Sequence, residues 1–351
     1  MKKFLAILLV SVMTFLSLTS CDFIGNLFGG SPVDTTDDTS ASSDSETDKK
    51  AEETPYTSKN RLKGTYFAGY ATTESFYNGE FNSKVGWRAA GMGYVVKTQN
   101  GKLIAIDGGV SADANGFYRF LREYSNSNEL VIDYWIITHP HGDHIDALRS
   151  IAANGLLELT VKNFVYNFPA DFKDTSCQFY GSEMQRISKD MGANVITPKK
   201  GQKIKLDNVE IEFYYVPVNY ANFSSSNQLS LIFSITADKR VMITGDAYEN
   251  GLKAAANDYG SKLKCDILQM PHHFLCDTGY QAFYNYVGAD TLVLPTCIAG
   301  YEAMTSPTSE YKDHTKYKIN KSVHDNASTV YKAFEKLPSS KVGAYCEIKI
   351  G

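Results

Sequence analysis

Clustered positive charge, paired cysteines and a membrane-length apolar run are all missing from this chain of 351 residues. Each absence removes a class of function. The formal net charge is −4, and the acidic excess is local: residues 22–60 hold nine acidic and three basic side chains, which leaves 30 of each in residues 61–351. A body balanced in this way has no electrostatic footprint for coating nucleic acid, which needs clustered basic side chains to displace counterions. The cysteines (Cys21, Cys177, Cys265, Cys276, Cys297 and Cys346) form no C-x-x-C pair and no regular spacing, so neither a zinc knuckle nor a disulfide scaffold is indicated. No internal repeat is present. The apolar stretch from Phe4 to Leu18 falls short of the roughly 20 residues a spanning helix requires.

What that stretch does resemble is an address. Lys2 and Lys3 precede it and small residues follow it, the pattern of a secretory signal. Leu18-Thr19-Ser20-Cys21 resembles the lipobox of bacterial lipoproteins. That resemblance implies a lipoprotein signal peptide over residues 1–20, acylation of Cys21, and a lipid anchor on the extracytoplasmic face of the cell membrane. Residues 21–60, rich in Ser, Thr, Asp and Glu, cannot bury enough apolar surface to offset their ordering entropy and read as a disordered linker. The 43% hydrophobic content of the whole chain is enough for a sizeable core in residues 61–351.

Within that body, Gly93–Lys97 and Leu103–Ile106 flank Asn100-Gly101, a tight-hairpin signal. Val131–Ile137 predicts a buried strand and Ile145–Ala152 a helix. Further strands are predicted at 164–166, 203–206, 210–215, 229–236 and 240–244, and helices at 115–124, 182–191, 248–257, 280–286 and 327–337. Hairpins in each half with helices between strands suggest two sheets with helices outside them.

The chemistry lies at the end of the 131–137 strand, in Thr138-His139-Pro140-His141-Gly142-Asp143-His144. His139 and His141 alternate and can grip one cation; Asp143 and His144, beyond Gly142, can turn toward a second. Imidazole and carboxylate without thiolate favour zinc, with manganese or iron as alternates.

His139-x-His141-x-Asp143-His144 resembles the H-x-H-x-D-H signature of metallo-β-lactamase-fold hydrolases. Ile106-Asp107-Gly108-Gly109 resembles that family's first motif, and Met242-Ile243-Thr244-Gly245-Asp246-Ala247 its later G-D motif. Asn227-Gln228-Leu229-Ser230-Leu231 and Gln269-Met270-Pro271-His272-His273 resemble elements of the ComEC-like branch, and His324 stands where that branch carries a late histidine. The resemblance implies an α/β fold, the αββα four-layer sandwich, with two zinc ions. Their ligands would come from His139, His141, Asp143, His144, Asp246 and His272, with Asp246 bridging. Asp107 and Asn227 would support them. Of the pair His272 and His273, one would bind metal and the other meet substrate; His273 is assigned the substrate role, although spacing leaves the order open. His324 would complete the site or grip substrate. Three departures stand out: no histidine lies between His144 and Asp246, histidine occupies position 141 where aspartate is frequent, and Phe274-Leu275 replaces Gly-Ser.

Such a site implies hydrolysis by a metal-activated hydroxide, with Asp143 orienting the water and His273 or His324 donating to the leaving oxygen. The favoured substrates are phosphodiesters outside the cell, nucleotide-like or choline-containing; the 23 tyrosines and 19 phenylalanines leave stacking on bases or choline methyls open. The alternatives are a lactone or β-lactam hydrolase, and a non-catalytic binding lipoprotein. No obligate protein partner is evident.

Overall fold

The computed structural model describes residues 62–77, 87–127, 129–155, 158–172, 181–340 and 342–351. The signal segment, Cys21, the linker and Cys177 lie outside the described residues.

The first half of the chain supplies β1 (Tyr66–Tyr70), β2 (Glu74–Tyr77), β3 (Trp87–Ala90), β4 (Gly93–Lys97), β5 (Leu103–Asp107), β6 (Leu130–Ile132), β7 (Tyr134–Ile136), β8 (Leu159–Val161), β9 (Asn163–Val165) and β10 (Asn194–Ile196). Its helices are α1 (Ala114–Tyr124), α2 (Gly142–Ala153) and α3 (Gly181–Asp190). The second half supplies β11 (Lys203–Leu206), β12 (Val209–Tyr215), β13 (Ile232–Thr236), β14 (Arg240–Ile243), β15 (Ile267–Gln269), β16 (Thr291–Leu294), β17 (Thr329–Lys332) and β18 (Ala344–Lys349). With them come α4 (Glu249–Tyr259), α5 (Gln281–Val287), α6 (Ile298–Thr305) and α7 (Thr315–Asn326).

Two seven-stranded sheets result, ordered β10-β9-β7-β5-β4-β1-β18 and β11-β12-β13-β14-β15-β16-β17. Both are mixed: β10, β9, β7 and β5 run parallel, as do β14 to β17, and the remaining pairings are antiparallel. The period-2 alternation of side chains explains how they stack. Tyr94, Val96, Ile104, Ile106 and Ile136 meet Phe213, Phe233, Ile235, Val241, Ile243 and Val293 in one apolar layer between the sheets. The alternate residues Val95, Ala105, Trp135 and Phe164 pack outward with Phe117, Leu121, Leu148 and Ile187 of α1, α2 and α3. On the far side Ile232, Met242, Leu268 and Leu292 pack with Leu252, Ala255, Phe283 and Val287 of α4 and α5. Strands apolar on both faces need cover on both, and three apolar layers make four structural ones. This is the αββα sandwich.

Four expectations need correction. The 131–137 strand is broken at Asp133, whose carboxylate takes Lys162 Nζ at 2.7 Å and the Leu103 amide at 3.3 Å; β6 pairs with β8, and only β7 joins the main sheet. The helix expected from Ile145 begins at Gly142, so Asp143 and His144 sit in its first turn, where a carboxylate complements the helix dipole. The strand expected from Leu229 begins at Ile232, because Leu229 closes a 3-10 turn over Ser226–Leu229. Residues 327–337 hold the strand β17, paired with β16, because Thr329-Val330-Tyr331 is β-branched and aromatic and a sheet edge is there to receive it; the helix is α7, just before it.

Phe233 is wholly buried between the sheets, whereas Val195 on edge strand β10 is 45% exposed. Phe233→Ala should therefore cost about 3–5 kcal/mol in denaturant unfolding. Val195→Ala should cost less than about 0.5 kcal/mol; equal losses would contradict the layer assignment.

Candidate metal centre

The parallel strands β5 and β7 end side by side, and the turn after each carries polar residues into the seam between the sheets. Asp107, at the end of β5, has a left-handed backbone (φ 52°), which ends the regular strand at this residue. That carboxylate, fully buried, accepts the Thr138 amide at 2.8 Å, the Thr138 hydroxyl at 2.7 Å and His144 Nδ1 at 2.7 Å. The Asp107 carbonyl accepts Trp135 Nε1 at 2.9 Å. One residue thus pins the metal loop at its first residue and fixes the His144 ring with Nε2 facing inward.

The facing sheet brings Asp246 after β14. Its amide donates to Ser230 Oγ at 3.1 Å, and Gln269 Oε1 accepts the amides of Thr244 and Gly245 at 2.8 and 2.9 Å. Gly245 (φ 54°) tolerates no side chain, since a Cβ would stand 2.9 Å from Thr138 Cβ. The two loops therefore touch, and Asp246 Oδ2 lies 3.6 Å from His139 Nε2, 3.3 Å from His144 Nε2 and 3.3 Å from His273 Nε2.

Two groups of converging donors emerge. Asp143, His144, Asp246 and His273 form one; His139, His141 and Asp246 form the other; within each, the ligand atoms lie within 4.8 Å of one another, and Asp246 belongs to both. All six residues are buried. Nε2 of His139 and His144 and Oδ1 of Asp143 and Asp246 are buried without a hydrogen-bond partner. Orphaned polar atoms of this kind are costly unless a ligand satisfies them, and imidazole with carboxylate is the donor set of zinc and related divalent ions. The residues fit a divalent metal cofactor.

Backbone geometry orders the histidine pair. His272, His273 and Phe274 are consecutive left-handed residues (φ 46°, 54° and 67°), none of them glycine. This run turns His273 into the cluster, where Pro295 O accepts its Nδ1 at 2.8 Å and Nε2 stands 2.8 Å from Asp143 Oδ2. His272 stays at the rim. Its Nδ1 meets Asp277 Oδ1 at 2.7 Å, its Nε2 is 3.1 Å from Asn227 Nδ2, and its side chain keeps 16% exposure. His273 thus falls in a donor group, whereas His272, expected from the sequence to be the ligand, stands beside it with Nε2 3.7 Å from Asp246 Oδ2. Asn227 also reaches the Tyr248 hydroxyl at 3.1 Å, and the Tyr248 ring lies 5.6 Å from that of His272. Asp277 and Tyr248 had no motif around them to single them out.

His324 is not brought into either group. It lies behind Phe274, stacked on that ring at 5.4 Å, with Nε2 at 3.0 Å from the Tyr301 hydroxyl and Nδ1 at 3.0 Å from Asp325. Both ring nitrogens have partners there, and neither joins a donor group. Cys265, Cys276, Cys297 and Cys346 are buried, and burial pushes the Cys276 thiol up to about 12, away from the thiolate form.

Residues 88–155, which include the histidine loop, match the family model described as the metallo-beta-lactamase superfamily. A comparison with curated protein sequences found no match. Solved structures similar to the chain include the metallo-beta-lactamase fold protein YhfI from Bacillus subtilis, at 16% identity and TM-score 0.46, covering 77% of this chain and 96% of that one. Tm1679, described as a metal-dependent hydrolase of the beta-lactamase superfamily, is similar at 12% identity and TM-score 0.47, covering 82% and 99%.

The electrostatics carry two predictions. Burial alone would lower His144 and His273, but Asp246 and Asp143 outweigh it, holding His144 well above the ordinary histidine value and His273 up to about 10. His139, where burial and the neighbouring His144 act together, is held well below. In the metal-free protein His144 and His273 are thus charged at neutral pH and His139 is neutral. Ligation needs neutral imidazole, so zinc uptake near pH 7 should release about two protons, and affinity should climb as pH rises toward 10. Calorimetry in buffers of different ionisation enthalpy reads this directly; uptake without proton release would contradict it. Asp107→Asn, whose single side-chain oxygen cannot accept all three hydrogen bonds and whose NH2 would face a donor, should weaken zinc binding about 10–100-fold in competition with a chromophoric chelator. Unchanged affinity would remove its buttressing role.

Proposed function

We propose that this chain is a metal-dependent hydrolase of phosphodiesters, tethered by a lipid on Cys21 to the extracytoplasmic face of the membrane. The observation that carries the hydrolase reading is the pair of donor groups sharing Asp246. Two divalent ions held there would polarise a phosphoryl oxygen and make water nucleophilic near neutral pH. The chain's own residues supply the rest. Asp143 sits in the first turn of α2 with Oδ1 unsatisfied, placed to hold a water or an ion. His273, tied to Pro295 O, presents Nε2 in one fixed direction. His272, the most exposed histidine of the cluster, is held by Asp277 from behind; its Nε2 faces the amide nitrogen of Asn227, and it would pass a proton to a leaving oxygen at the rim from the doubly protonated ring, with the Asn227 amide turned to present Oδ1. Tyr248 and Asn227 flank that nitrogen and bound the space in which the leaving group would sit.

Two ions sharing one carboxylate would stabilise both the attacking and the leaving oxygen of an in-line displacement at phosphorus, which supports the phosphodiester reading. Lactone or β-lactam hydrolysis is the second reading, since the same donors also polarise a carbonyl. Small nucleotide or choline phosphodiesters suit the charge-balanced body better than long nucleic acid.

Bis(4-nitrophenyl) phosphate should be hydrolysed by the zinc-loaded chain, with turnover abolished by chelation and lowered more than about 100-fold by His141→Ala. Retained turnover in that variant would remove the site assignment. If His272 protonates the leaving group, His272→Ala should lose about 10²–10⁴-fold on an alkyl ester and far less on a nitrophenyl ester, whose leaving group needs no proton. Equal losses would assign it to positioning instead. Metabolic labelling with an alkynyl palmitate should mark the protein in bacterial cells and fail in Cys21→Ser; an unlabelled wild type would sink the lipid anchor.

A further inference from the structure

The two donor groups are unequal, and the inequality has a functional consequence that rests on reading them as metal sites. The Asp143/His144/Asp246/His273 group offers four protein donors, two of them carboxylates. Its two imidazoles are each locked from behind, His144 by Asp107 at 2.7 Å and His273 by Pro295 O at 2.8 Å. Asp143 already stands 2.8 Å from His273. The His139/His141/Asp246 group offers three donors, and its single carboxylate is the shared one. The backing of His139 is a 3.2 Å contact from Nδ1 to the Thr138 hydroxyl, which Asp107 also claims at 2.7 Å. His141 is 8% exposed, while His144 and His273 are at most 1% exposed.

Four preorganised donors with two negative charges bind a divalent ion more tightly than three with one, and a tetrahedral ion held by three protein donors keeps a position open. We propose that the Asp143/His144/Asp246/His273 group fills first and holds its ion tightly, and that the His139/His141/Asp246 group fills second and reversibly, its open position being the one that receives the substrate oxygen. The protein then has a one-ion resting form. Outside the cell, where this chain is proposed to work, the second equivalent sets the fraction of competent sites, so metal supply regulates the same centre.

The test is a titration of the full chain, stripped by chelator, with Co²⁺ followed by visible absorption and with Zn²⁺ followed by calorimetry. Wild type should show two steps with affinities separated on the order of 100-fold. His141→Ala should keep the first step unchanged and lose the second. Asp143→Asn, which preserves shape, should weaken the first step by about 10–100-fold and leave the intrinsic affinity of the second group. Circular dichroism of each variant separates these effects from unfolding, and His141→Gln repeats the test should His141→Ala unfold. Two equal steps, or loss of the tight step in a folded His141 variant, would overturn the proposal. An absence of metal uptake would overturn it together with the hydrolase reading. Two unequal steps without turnover of any phosphodiester would support it while removing that reading.

Discussion

The centre depends on one buried carboxylate. Asp107 is the only described side chain that bonds both the start of the metal loop, through Thr138, and the start of α2, through His144. With no solvent to compete, its three accepted hydrogen bonds offset the cost of burial, although burial remains the largest influence on the carboxyl and pushes it upward. The left-handed backbone at Asp107 ends the strand there and departs from the alternation by which an extended residue would direct its side chain to one face of the sheet. Thr138 passes the constraint across the seam: its carbonyl accepts the Leu231 amide at 3.0 Å, and its side chain is what forbids a Cβ at Gly245. The position of Asp246, on the opposite sheet, follows from the same contact.

The remainder of the cluster is held against its own preferences. Carboxylates and imidazoles packed this closely, nearly without solvent, are tolerable only while opposite charges or ions balance them. In the metal-free chain, protons on His144 and His273 do the balancing for Asp143 and Asp246. Three consecutive non-glycine residues in the left-handed region add about 1–2 kcal/mol each of backbone strain. Packing counters that strain: Phe274 is fully buried and lies against Tyr301 and His324. His324 therefore serves the centre through the ring that holds the turn in place.

The histidine loop was legible in the sequence because it is local. Four donors in a six-residue span at the end of a predicted strand can hardly be arranged otherwise, and pairing His139 with His141 and Asp143 with His144 follows from alternation and one tight turn. The layer architecture was legible for the same reason, through strands apolar on both faces. What failed was everything decided by backbone conformation or by contacts between distant segments. Alternation cannot order His272 and His273 when both are left-handed, and the departure from Gly at position 274 concealed that the turn persists with a phenylalanine in it. Asp277 and Tyr248 are ordinary residues until the 272–277 turn and the 226–229 turn meet across His272. Residues 327–337 have helical composition in part, yet the open edge of β16 decides their state.

A centre made from both sheets also ties metal occupancy to assembly of the fold. The His139–His144 loop belongs to the first sheet; Asp246 and His273 belong to the second. Neither sheet alone presents a complete donor group, since Asp246 is common to both groups. An ion in either group therefore binds only the form in which the two sheets are packed, and its binding free energy adds to the stability of that packing. The hydrophobic layer between the sheets, which includes Tyr94, Ile106, Ile136, Phe233 and Ile243, holds the two loops against each other. The missing histidine between His144 and Asp246 costs the fold little on this account, because the four-donor group already bridges the seam. That leaves the three-donor group free to trade affinity for an open coordination position, which is what turnover at such a centre requires.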